Sequence, residues 1–266
     1  MKSVAVPLAT LWNAPREGTP YDVVTQLLLG DPVAVDEVRD DGWARVVAPD
    51  QPAPLLEPRG YPGWLRAEQL TSFVDAPAVV DALRTDLRVA PGGAVAVSGL
   101  MLGTRLVPAG PPTGGWLPVQ VPGRAEPLWA PQTHVRPGRT GPADPAEALA
   151  TARRLLGVAY VWGGLSPAGI DCSGLVHLAW RVLGVRLPRD AHEQAAAADP
   201  VPPGQERPGD LYFFARPAVR IHHVGIVVAP GRMLHACGRA ARVVEEPPDA
   251  DRTATLTGAF RVRPAA

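Results

Sequence analysis

The chain has 266 residues, enough for one large domain or two to three small ones, and balances 26 basic against 26 acidic residues. That neutrality gives no electrostatic footprint for nucleic acid or an anionic membrane surface. Two cysteines exclude a disulfide framework, and no segment approaches the ~20 apolar residues of a membrane-spanning helix.

Near the N-terminus, the apolar stretch Val4 to Leu11 is broken by Pro7 and lacks a convincing small-residue cleavage site. It reads as a first β-strand rather than a signal peptide, and the expected location is cytoplasmic. Runs at Val23–Leu29, Pro32–Arg39, Trp43–Val47 and Gly63–Arg66 then read as short strands. The turns between them are Gly30-Asp31-Pro32, Asp40-Asp41-Gly42 and Arg59-Gly60-Tyr61-Pro62-Gly63. From about Val74 the pattern restarts. Leu87-Arg88-Val89-Ala90-Pro91 echoes Leu11-Trp12-Asn13-Ala14-Pro15, Gly115-Trp116 echoes Gly42-Trp43, and Leu128-Trp129 echoes the segment around Gly63-Trp64. Two copies of one small barrel are expected, at 1–73 and 74–137, with a single larger β-domain as the alternative.

Arg136-Pro137-Gly138-Arg139-Thr140-Gly141-Pro142 is a linker by composition, and a third domain is expected over 143–266. Pro145–Leu156 reads as an amphipathic helix opening near Asp144. A second helix starts at Cys172 and carries Leu175, Val176, Ala179, Trp180 and Leu183 at helical spacing, and a third covers Asp190–Ala198. Strands follow at Asp210–Phe214, His223–Val228, Met233–Ala236 and Arg242–Val244. Helices first and an antiparallel sheet afterwards make an α+β domain.

Cys172, in Asp171-Cys172-Ser173-Gly174, sits in the first turn of its helix, where the macrodipole favours thiolate. The alternative is a small buried apolar residue. A nucleophilic thiol needs a base and a group that orients the base. His177 falls on another face of the same helix and reads as a surface or capping residue, and His192 falls in a polar helix. His222 and His223 open a strand whose alternation sends them to opposite faces. A hairpin turning at Pro230-Gly231 would bring His223 beside His235, so His223 is the expected base and His235 its orienter. A different class is zinc held by Cys172, His223, His235 and Cys237, although no C-x-x-C spacing supports it.

Tyr160-x-Trp162-Gly163-Gly164, Asp171-Cys172-Ser173-Gly174, Pro208-Gly209-Asp210-Leu211, His223-Val224-Gly225-Ile226 and Leu234-His235-Ala236 resemble the NlpC/P60 cell-wall peptidases in order and spacing, over about 125 residues. The preceding modules resemble bacterial SH3-like (SH3b) domains. The resemblance implies an α+β papain-like NlpC/P60 catalytic domain preceded by two small all-β SH3-like barrels. It implies Cys172 as nucleophile, His223 as base and His235 as third residue, with no cofactor and no metal. With the paired modules in front, the layout resembles the γ-D-glutamyl-L-diamino acid endopeptidases. Their substrates are murein stem peptides, L-Ala-γ-D-Glu-diamino acid, with a free N-terminal amine, and a role in cell-wall recycling is implied.

The same resemblance gives Asp171 and Ser173 as the site of the substrate ammonium group, closed by Tyr61 from the first module. Helix N-capping for Asp171 and a barrel-surface position for Tyr61 are the alternatives. Asp171 beside the thiol should raise its pKa, so something must compensate. Tyr160 is expected to line the site through its hydroxyl and Trp162 to give an apolar wall, although either could belong to the core. Many relatives carry Ser or Thr where Ala191 stands, which removes a hydroxyl. A wall-binding protein without activity and an acyltransferase on the same fold are the remaining alternatives.

Overall fold

The computed structural model describes residues 1–139, 141–216 and 221–263. Pro7 splits the first apolar stretch into β1 (Lys2–Val4) and β2 (Leu8–Trp12). Then follow β3 (Val23–Leu28), β4 (Pro32–Val38), β5 (Trp43–Ala48), β6 (Tyr61–Arg66) and β7 (Leu70–Ser72). They form one sheet in the order β3-β2-β6-β5-β4-β1-β7. Gly42 turns β4 into β5 at φ +83°, a left-handed conformation in which glycine avoids the Cβ penalty. Val4, Leu11, Leu28, Val33, Val46 and Leu65 are fully buried and make the core of this repeat.

The second repeat comprises β8 (Ala78–Val80), β9 (Arg84–Arg88), β10 (Val95–Met101), β11 (Arg105–Pro108), β12 (Trp116–Gln120), β13 (Leu128–Pro131) and β14 (Val135–Pro137). Its order is β10-β9-β13-β12-β11-β8-β14, the same permutation seven strands later. A short 3-10 turn precedes the last strand of each copy, at Ala67–Gln69 and Gln132–His134. Its core joins Val80, Leu87, Leu100, Leu106, Val119 and Ala130, with Leu29 contributed by the first repeat. The weak sequence echo is therefore a repeat in topology, and the architecture is two SH3-like β-units followed by an α+β domain.

The compact units differ from a simple cut at the linker. The two β-repeats form one, but residues 51–58, the loop between β5 and β6, group with the C-terminal unit that begins after residue 139. There the Arg189 amide donates to the Pro52 carbonyl at 3.0 Å, and Glu193 Oε1 accepts from the Leu55 amide at 2.8 Å.

The C-terminal unit starts with α1 (Pro145–Arg153), capped by Asp144, whose carboxylate accepts from the Ala146 amide at 2.9 Å. A small hairpin, β15 (Leu165–Ser166) and β16 (Gly169–Ile170), leads into α2 (Cys172–Arg181), every residue of which is buried. Next come α3 (Ala191–Ala196), β17 (Ala198–Val201), β18 (Leu211–Ala215), β19 (Ile221–Ala229), β20 (Arg232–Cys237), β21 (Arg242–Glu246), α4 (Ala250–Thr255) and β22 (Leu256–Val262). The antiparallel sheet runs β17-β22-β18-β19-β20-β21, and α2 packs on β19 and β20.

The third helix is shorter than its sequence predicts. Ala198 leaves it to begin β17, which pairs with β22 as Ala198↔Val262 through Val201↔Ala259. Pairing along the sheet outweighs the helix propensity of the alanine run, and Pro200 is tolerated because β17 is the edge strand.

Candidate active site

Cys172 is the first residue of α2, and Asp171 is its N-cap, with a carboxylate that accepts from the Gly174 amide at 2.6 Å. The Val224 and Ser173 amides donate toward the Cys172 sulfur, which places it against the backbone of β19 just after His223. The helix start does not make a free thiolate here. Burial, reinforced by the neighbouring Asp171 charge, pushes the thiol up to about 12, and the amides and Arg189 offset only part of this. The expectation from the helix dipole alone is thereby corrected. Burial therefore favours the thiol over the thiolate at Cys172.

β19 and β20 form the hairpin that the spacing suggests. Ile226 faces Leu234, Val227 faces Met233, and the turn closes between Ala229 and Arg232. His223 and His235 are diagonal neighbours rather than directly opposed. Gly225 makes the diagonal contact possible, since a Cβ there would lie 2.7 Å from Met233 Sδ and 3.3 Å from His235 Cβ. His223 Nε2 and His235 Nδ1 are 2.8 Å apart, and the rings meet edge to face at 4.9 Å. Phe214 packs on His223 at 5.6 Å between ring centroids. Burial and the neighbouring His235 hold the His223 pKa well below the ordinary imidazole range, and burial and Arg252 lower that of His235. Both rings are therefore neutral at pH 7. His222 points outward and is exposed, as strand alternation requires.

The chain of contacts extends past the two histidines. His235 Nε2 lies 3.2 Å from Glu246 Oε1 at the end of β21. The sequence reading did not single out Glu246. The register β20–β21, with His235 opposite Val244, is what brings it there.

Asp171 has a partner that sequence reasoning also missed. Arg189 Nη2 donates to Asp171 Oδ2 at 2.7 Å and Nη1 donates to Oδ1 at 3.0 Å. Arg189 also donates to Ser173 Oγ at 2.9 Å and to the Gly164 carbonyl at 3.2 Å. The Gly163 amide adds a bond to Oδ2 at 3.0 Å, and the Ser173 hydroxyl donates to Oδ1 at 3.3 Å. Five donors thus converge on two oxygens with about four lone-pair directions, inside a site where Arg189 is 1% exposed. Arg189 is the counter-charge to Asp171, and it offsets only part of the effect of that carboxylate on the thiol. Gln194 Nε2 donates to the Ser173 and Pro188 carbonyls at 3.0 and 2.9 Å and fixes this corner from α3.

Tyr160 is half-buried, and burial together with the nearby Cys172 and Asp171 charges raises its pKa, so it stays a neutral phenol beside the thiol. Trp162 is 51% exposed and belongs to no core. Tyr61 is a buried residue of β6, in the other compact unit. His177 is not a surface or capping residue. It is wholly buried, bonds the Leu187 carbonyl through Nδ1 at 2.8 Å, and has its pKa lowered to about 3 by burial. The α2 face it occupies packs into the unit because even the polar side of this helix is covered.

The zinc alternative finds no matching cluster. Among the described residues, three donors converge at His235, Cys237 and Glu246 and at Asp190, His192 and Glu193, and neither set contains Cys172 or His223. At the first, Arg252 already supplies the cation, with Nη2 3.1 Å from Cys237 Sγ and Nη1 4.0 Å from Glu246 Oε1.

A buried thiol at a helix start, two neutral histidines in series and a phenol alongside can carry nucleophilic acyl transfer with general acid–base help. Comparisons with known proteins agree. Residues 157–259 match the family model described as NlpC/P60 family. Gamma-D-glutamyl-L-lysine dipeptidyl-peptidase from Bacillus subtilis (strain 168) is 31% identical over 219 residues, 80% of this chain and 72% of that protein. The protein of the same name from Bacillus cereus (strain ATCC 10987 / NRS 248) is 30% identical over 285 residues, 91% of this chain and 84% of that one. The crystal structure of an NlpC/P60 family protein from Bacillus cereus ATCC 10987 shares the fold with a TM-score of 0.86, 24% identity and 98% coverage of both chains. With relatives aligned along most of its length and this site at their shared domain, the chain belongs to the NlpC/P60 family and is a cysteine peptidase.

Proposed function

We propose that the enzyme hydrolyses the γ-D-glutamyl–diamino acid bond of murein stem peptides that carry a free N-terminal L-alanine, in the recycling of wall fragments. The observation that carries this reading is the contact of His223 with His235 in the unit that holds Cys172, together with relatives of the γ-D-glutamyl-L-lysine dipeptidyl-peptidase type aligned over 80% and 91% of the chain. In the first step the Cys172 sulfur bonds to the γ-glutamyl carbonyl carbon while its proton passes to His223. The carbonyl oxygen becomes an oxyanion, for which the Cys172 backbone N–H at the helix start is an available donor. Collapse breaks the C–N bond, the amine leaves with the proton from His223, and a thioester remains. Water then attacks, giving its proton to His223, and the C–S bond breaks to return the thiol.

In this reading Asp171 and Ser173 receive the L-alanine ammonium, Tyr160 and Trp162 line the peptide, and Tyr61 joins them on the strength of the sequence resemblance. A second reading has an observation in its favour. Asp171 is saturated by Arg189, two amides and Ser173, which explains its place without any substrate and suits hydrolysis independent of a free amine. Turnover of L-Ala-γ-D-Glu-diaminopimelate and L-Ala-γ-D-Glu-L-Lys against their N-acetylated forms separates the two. The first reading expects loss of about 10²-fold or more in kcat/KM on acetylation, roughly the worth of a charge-assisted contact of 2–3 kcal/mol. Equal rates select the second reading, and full activity in Cys172→Ala overturns both.

A further inference from the structure

We propose that Glu246 is a positioning residue of the catalytic series, setting the tautomers of both histidines so that His223 presents an unprotonated nitrogen to Cys172. This rests on the cysteine-peptidase reading of the site. The argument is one of hydrogen-bond polarity. A carboxylate only accepts, so the contact of 3.2 Å from His235 Nε2 to Glu246 Oε1 requires the His235 proton to be on Nε2. His235 Nδ1 is then a lone pair, and the contact of 2.8 Å to His223 Nε2 requires the His223 proton to be on that nitrogen. The remaining nitrogen, His223 Nδ1, is left without a proton and can take one from the thiol. Without Glu246 the order can reverse. His235 would carry Nδ1–H, His223 Nε2 would accept, and with its own proton on Nδ1 His223 would have no unengaged nitrogen left to act as base.

Two features fit a tuning role rather than a packing one. Glu246 has a side chain 40% exposed, so the core does not depend on it, while His235 beneath it is 0% exposed. It also borders a cavity of about 480 Å3 lined by Cys237, Arg239, Ala240, Glu246, Asp249 and Arg252, with neither Cys172 nor His223 in its lining. Arg252 Nη1 lies 4.0 Å from Glu246 Oε1 and 2.8 Å from Asp249 Oδ2, so a cation borders the same carboxylate. Its neighbour Glu245 instead pairs with Arg153 and Arg232 and takes no part.

The test combines substitution with a direct reading of the tautomers in the full chain. 15N-labelled histidine spectra of the wild type are expected to show Nε2–H forms for His223 and His235, and Nδ1–H forms for both would overturn the proposal without any variant. In Glu246→Gln, whose amide can donate to His235 Nε2, the expected results are a switch to Nδ1–H and a fall in kcat of roughly tenfold to a hundredfold with KM nearly unchanged, the scale on which outer partners of functional histidines act. Glu246→Ala should regain part of its rate with added formate, which the cavity can admit, and Glu245→Gln should be unaffected. Unchanged kcat and tautomers in Glu246→Gln would refute the role of Glu246. An inactive wild type, or an active Cys172→Ala, would instead refute the peptidase reading, and the tautomer spectra and the rate of Cys172 alkylation would still decide the inference.

Discussion

Arg189 grips Asp171 with two hydrogen bonds of 2.7 and 3.0 Å, so the acidic residue next to the nucleophile is one half of a buried ion pair. Such pairs contribute modestly to stability when intact but are costly to break, because the orphaned charge stays desolvated. Arg189→Met is therefore expected to destabilise the catalytic unit by about 3–5 kcal/mol and to lower activity. The double variant Asp171→Asn/Arg189→Met should recover much of the stability. Urea unfolding of the three proteins checks this, and an equal loss in single and double variants would contradict it.

Gly225 is the second place where a single atom matters. A Cβ at this position meets Met233 Sδ at 2.7 Å and pushes toward His235 Cβ. Gly225→Ala should cost about 1–3 kcal/mol as overpacking and should reduce kcat more than KM, because the shift falls on His235. Thermal denaturation and steady-state kinetics measure the two effects separately.

Cys172 should behave as a protonated thiol at neutral pH. Its raised pKa predicts that alkylation by iodoacetamide stays slow at pH 7 and climbs as pH rises toward the strongly alkaline range, with no plateau near neutrality. A rate already at its plateau by pH 6 would mean that a thiolate–imidazolium pair exists at rest.

His177 gives the acid limb of stability. Its pKa is lowered to about 3 in the folded state, so the unfolded chain binds its proton first. The stabilisation is complete above about pH 6.5, the ordinary histidine value, and is lost as pH falls toward 3, with a slope near 1.4 kcal/mol per pH unit. His223 and His235, both shifted down, act with the same sign. Urea midpoints measured from pH 7 to pH 4 should fall less steeply in His177→Gln than in the wild type.

Much of this site is legible in the chain itself. The helix that starts at Cys172 and the hairpin that carries His223 and His235 follow from apolar spacing and a Pro-Gly turn, which are local signals. The β-repeats are legible as a faint echo of Gly-Trp and Pro-bounded turns, and strand order makes the echo explicit. Glu246, Arg189 and the 51–58 loop carry no such signal. An acidic residue at the end of a strand, an arginine after a proline and a proline-rich turn are ordinary surface elements until a partner is brought to them.

The sequence by itself determined the family pattern, the thiol at a helix start, the pair of histidines on one hairpin and the repeat, because each is written in spacing over a few residues. Only the tertiary structure decided the burial of the thiol, the charge that balances Asp171, the carboxylate that meets His235 and the allegiance of residues 51–58. Those depend on burial and on contacts between residues 18, 11 and 138 positions apart. Desolvation and hydrogen-bond polarity are properties of the packed site, and no local pattern encodes them.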